Sequence, residues 1–182
     1  MRCLAGIVIV HAARAVLSCI VITLVTSAPI RADPAPRLRL TDPRLRLAVA
    51  AGRQQSPLFR TLTNQLEATD VVVYVQCARL PGHLAGDLSF MTAAAGVRYV
   101  LVRIGWDLPL PRKIAILGHE LQHALEVARS PDIVSARTMA AAYERFGFVK
   151  SRGPERTEFD TLAAVDAGAT IWRELAEWDD GE

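Results

Sequence analysis

Apolar residues along the chain fall into three kinds of spacing. Ala15 to Val25 is an unbroken run of small, apolar and hydroxyl residues. Between Leu40 and Leu66 the spacing is helical. Asp42-Pro43 opens a short helix expected to end at Gly52, and Ser56-Pro57 opens a second, with Leu58, Leu62 and Leu66 on one face. A β region follows. Val71 to Arg79 is dense in β-branched residues, while Leu88 to Ala93 and Arg98 to Ile104 are expected to pair as a hairpin around Ala95-Gly96. Pro81-Gly82 and Asp107-Leu108-Pro109 punctuate the loops. From Pro111 the period is helical again. Helices are predicted over Pro111 to Ala128, Ile133 to Phe146 (closed by Gly147) and Thr157 to Trp178, the last burying Ala163, Ala164, Ala167, Ile171 and Leu175. Helices, a small mostly antiparallel sheet and three more helices make an α+β domain.

The chain has 182 residues, 51% hydrophobic and 22% charged, which suits one domain with a real core. Its formal charge of +2 is unevenly spread. Arg2, Arg14 and Arg31 lie in the first 32 residues, and all nineteen acidic residues lie from Asp33 onward. Without that segment 18 basic residues face 19 acidic ones, a net charge of −1 and no basic stripe for nucleic acid.

Residues 1–32 read as a secretory signal. The eleven-residue run from Ala15 fits an h-region and is too short to span a bilayer. Cleavage after Ala32 gives an exported protein, periplasmic or secreted. An uncleaved signal anchor, the alternative, would place Arg14 in the membrane. Residues 33–55 are then an extended and short-helix lead-in, and residues 56–182 the functional domain. Cys3 and Cys19 leave with the signal. Cys77, alone in the mature chain, reads as a buried strand residue.

The chemistry sits in the Pro111 helix as Gly118-His119-Glu120-Leu121-Gln122-His123. Residues four apart stack on one helical face, so His119 and His123 can share one ion. Glu120, at the edge of that face, can take a proton from water rather than ligate. Ile114, Leu117, Leu121, Ala124 and Ala128 form the opposite, apolar stripe.

Ile116 to Leu125 resembles the active-site helix of the zincin metallopeptidases. The resemblance implies Zn2+ bound by the two histidines, Glu120 as general base, and a peptide or protein substrate aligned on a sheet edge. Glu126 and Arg129 stand where the metzincin pattern needs Gly and His, so the gluzincin-like branch remains, with a carboxylate ligand on a later helix. The chain is also similar to short exported bacterial HExxH proteins of unassigned function that carry an F-E-T-like downstream motif. Asp160, in Glu158-Phe159-Asp160-Thr161, takes the ligand position of that motif; Glu158 and Glu144 are the alternatives. Asp160 also fits a capping box with Thr157. Glu126 is a candidate support for the histidines, and Tyr143 or His83 a candidate oxyanion donor. Trp172 and Trp178 read as packing. The function expected is an exported zinc peptidase. The alternative is a degenerate, non-catalytic zincin-like domain that binds metal.

Overall fold

The computed structural model describes residues 35–82, 84–153 and 157–179. The signal reading over 1–32 and the candidate His83 lie outside the described residues. Strand β1 (Leu38–Leu40) leads into helices α1 (Pro43–Gln55) and α2 (Pro57–Glu67), then strands β2 (Val71–Ala78), β3 (Gly86–Ala94) and β4 (Val97–Gly105). Helices α3 (Leu110–Arg129) and α4 (Ala136–Phe146) follow, then a hairpin of β5 (Phe148–Arg152) and β6 (Thr157–Asp160), and finally α5 (Leu162–Asp179).

Local chemistry explains the helix starts. Asp42 and Ser56 accept the backbone N–H groups of Arg44 and Phe59, and each is followed by a proline at the first helical position, where no N–H is needed. Ser56 also donates to Glu174, which ties this corner to α5. Residues Leu45 and Ala48 of α1 join the same core as the elements after residue 56.

The sheet runs β1-β2-β4-β3. The β3–β4 hairpin forms as expected, its two-residue turn having positive φ at Ala95 (50°) and Gly96 (74°), the twist a tight hairpin needs. The expectation of a mostly antiparallel sheet is corrected: β1–β2 and β2–β4 are parallel, and only β3–β4 is antiparallel. After β2 the chain passes to the far edge as β3 and returns as β4 between the two, so β4 runs in the direction of β2. Both β2 and β4 are interior strands: β2 is buried through Val71, Val72, Val73 and Val75, and β4 alternates and sends Arg98, Val100, Val102 and Ile104 inward.

That inward face packs on α3, whose other sides meet α1, α2 and α5. Both ends of α3 are tied down. Lys113, only 9% exposed, donates to the carbonyls of Trp106 (3.0 Å) and Leu108 at the helix start. Arg98 donates at 2.6–3.0 Å to the carbonyls of Val127, Ala128 and Ser130 at its end, while its Nε and Nη2 hold Asp70, both at 2.7 Å.

The helix predicted from Thr157 is also corrected. Thr157–Asp160 is strand β6, and α5 begins at Leu162 with Thr161 as its cap, its hydroxyl accepting the N–H of Ala164 at 3.1 Å. The capping-box reading of Thr157 and Asp160 falls with it. Ala163 points to solvent, while Ala164, Ala167, Ile171 and Leu175 are buried as expected. Helix α4 starts at Ala136 rather than Ile133, because Ser135 and Thr138 close a capping box there. Among the described residues no helix is long and apolar enough to cross a membrane.

Candidate metal centre

Helix α3 presents its apolar stripe to the sheet and the flanking helices, which turns His119 and His123 together onto the remaining face. A Cβ at Gly118 would collide with Ile171 of α5, so glycine here sets how closely α5 approaches the ligand-bearing turn. The two imidazoles lie 4.9 Å apart, edge to face at 81°. Asp160, the last residue of β6, meets them from the other side. Its Oδ1 lies 3.3 Å from His119 Nε2 and 3.4 Å from His123 Nε2. All three donor atoms fall within 4.8 Å of one another. Donors bound tetrahedrally at ~2.0–2.2 Å are separated by about 3.4 Å, so this set fits a single small ion.

A second layer of contacts fixes these donors. Glu126, one turn beyond His123, accepts His123 Nδ1–H at 2.8 Å, leaving Nε2 to face Asp160. The same carboxylate accepts the hydroxyls of Tyr143 (3.0 Å) and Thr161 (2.6 Å). Thr161 in turn donates its backbone N–H to Asp160 Oδ1 at 2.8 Å. One carboxylate therefore couples the helical ligand to the segment carrying Asp160. Lys150 of β5 pairs with the other oxygen, Asp160 Oδ2, at 3.2 Å, which leaves Oδ1 as the ligating atom.

Electrostatics follow from this arrangement. Burial opposes a charged Asp160, but hydrogen bonds from both histidines outweigh it and hold the carboxyl well below its usual range. Burial likewise disfavours a charged His123, yet Asp160 and Glu126 together raise its imidazole to about 9. A bound cation must displace that proton, so the site is built for positive charge. Glu120 differs. It is 4% exposed, and burial is the main cause raising its carboxyl, with the imidazoles pulling the other way. Such a carboxylate is a better proton acceptor than one in water.

Glu120 reaches into a cleft of about 300 Å³ that also contains His119, His123 and Asp160. The edge strand β3 forms one wall from Gly86 to Phe90. Gly86 is required by close approach: a Cβ there would sit 2.5 Å from Ile116 and 2.9 Å from Glu120 Oε1.

Of the sequence candidates, Asp160 joins the two histidines. Glu158 lines the cleft outside the three-residue cluster, and Glu144 is exposed on α4, away from it. Glu126 supports His123. Tyr143, the candidate oxyanion donor, lines the cleft but is 3% exposed, and its hydroxyl is engaged with Glu126 and the back of His123. Lys150 and Thr161 escaped the sequence reading. The turn-forming pair Gly153-Pro154 was the one sequence signal for the hairpin that places them. No family model matches the chain, and no curated protein or solved structure matches it.

Proposed function

We propose that this protein is an exported zinc-dependent peptidase, with His119, His123 and Asp160 as metal ligands and Glu120 as general base. The observation that carries the reading is the pairing of a three-donor cluster of tetrahedral spacing with a buried carboxylate in one cleft, bordered by an edge strand. His₂-carboxylate donors leave a fourth position open, as catalytic zinc sites do. A zinc ion held there supplies Lewis acidity toward water and the peptide carbonyl.

The chain's own groups do the rest. Backbone groups of β3 align an extended substrate beside the cleft. Glu120 takes the proton of the attacking water and later delivers it to the leaving amine. Glu126 keeps His123 in the tautomer that offers Nε2 to the ion.

Metal analysis and an unbiased peptide library test this together. The parent should hold about one zinc per chain and cleave; Glu120→Ala should keep the metal and lose cleavage; His123→Ala and Asp160→Ala should lose both. Undiminished cleavage by Glu120→Ala would sink the mechanism. Stoichiometric zinc without cleavage in the parent would leave the non-catalytic metal-binding reading. Export is tested by the N-terminus of the protein recovered from its producing cells, which should be Asp33.

A further inference from the structure

The cluster borders two cavities. Beyond the cleft walled by β3, a second opening of about 650 Å³ lies against α3, α5 and the hairpin, and the two share His119, Lys150 and Asp160. The second opening is apolar at its base. Phe148 and Trp172 line it while remaining 43% and 45% exposed, and Val165 beside them is 41% exposed. Gly168 and Ala169 keep the intervening turn of α5 low; at Gly168 a Cβ would come within 3.3 Å of His119 Cβ. Two arginines, Arg112 of α3 and Arg173 of α5, flank this floor. Neither has an ion-pair partner among the described residues, and Arg173 donates to the Thr170 hydroxyl at 3.0 Å. The one carboxylate in the lining, Asp160, is already held by Lys150 and the histidines.

We infer that this second cavity is a specificity subsite, and that it takes a bulky apolar side chain next to an acidic one on one side of the bond being cut. The inference rests on the peptidase reading and names its substrate class. Half-exposed aromatic rings in a concave floor offer area to a Phe or Leu side chain. Guanidinium groups at the rim that have no ion-pair partner among the described residues complement an adjacent carboxylate and discriminate against an adjacent cation. Because His119 and Asp160 form part of the wall, a side chain seated here places its backbone beside the cluster.

Binding can be read without turnover. Three blocked octapeptides with central Phe-Glu, Ala-Glu or Phe-Lys would be titrated by fluorescence anisotropy into zinc-loaded Glu120→Ala protein. The Phe-Glu peptide should bind about tenfold tighter than either of the others. Adding Trp172→Ala should erase the advantage over Ala-Glu, and Arg112→Glu with Arg173→Glu should reverse the preference between Phe-Glu and Phe-Lys. These residues are exposed, so circular dichroism should be unchanged. Equal binding of the three peptides, no binding of any, or preferences untouched by the variants would overturn the inference. So would adsorption to anionic phospholipid vesicles that depends on Trp172 and comes without peptide preference. Library cleavage by the parent separates the two ideas: discrimination without cleavage refutes the peptidase and keeps the subsite, and cleavage without discrimination does the reverse.

Discussion

Helix α3 and the β5–β6 hairpin both bring candidate metal ligands to one point, and they are held in opposite ways. From Lys113 to Val127 α3 is buried except at Ile116, His119 and Glu126, which are partly open, and buried cations close both its ends. The hairpin is exposed at Phe148, Val149, Lys150, Arg152 and Thr157, and among its described residues only Asp160 at its end is buried. Two donors are therefore positioned by the core before any ion arrives. The third depends on a few polar contacts: Thr161, Lys150 and the histidines themselves. The difference says which half of the site a bound ion must organise.

The largest effect should come from cutting α3 loose. Arg98→Ala leaves several carbonyls at the helix end without their donor and removes the partner of Asp70, so urea denaturation should show a loss of about 3 kcal/mol or more. A loss below about 1 kcal/mol would mean the helix is held by its apolar stripe alone. Next is the link between the two regions. Glu126→Gln keeps the shape but weakens the hold on His123 and Thr161, and zinc affinity should fall about 10–100-fold by competition with a chelating dye. An unchanged affinity would show that the histidine needs no such support. Third, chelating the metal should speed hydrogen exchange over residues 148–160 and leave residues 114–127 unchanged. Equal loosening of both would erase the contrast between core-held and ion-held ligands.

The same contrast decides what could be read from the sequence. His119, Glu120 and His123 were legible because a buried helix has one period and its spacing maps directly onto geometry. The β3–β4 hairpin was legible because Ala95-Gly96 separates an apolar run containing Phe90 and Thr92 from a Val- and Ile-rich one. Parallel pairing of β2 with β4 was not, since strand order depends on where a chain returns and no local residue records it. Asp160 was picked out by motif resemblance while its setting was missed. The span from Thr157 to Asp160 carries both turn and helix-start residues, and its pairing with Phe148–Arg152 is a tertiary fact. Arg98 gave no sign at all. An arginine alternating inward on β4 looks like an exposed strand residue until the end of α3 is seen above it.

The smallest effect probes the anchor through pH. Hydrogen bonds from Arg98, opposed by partial burial, hold Asp70 below its reference value of 3.8. A carboxylate with a lowered folded-state pKa adds stability that is present above the unfolded value and is lost as pH falls through the folded one. Asp70 is 42% exposed, so screening limits the contribution to about 1 kcal/mol or less. Asp70→Asn should therefore be slightly less stable than the parent at pH 5 to 7, and the gap should close as the pH falls below about 4. Both proteins should show the same hydrogen-exchange pattern over the hairpin, because Asp70 acts only on the core-held region. A gap that widened on acidification would have the wrong sign for a salt-bridged carboxylate, and no gap at any pH would point to Arg98 holding the helix carbonyls without help from Asp70.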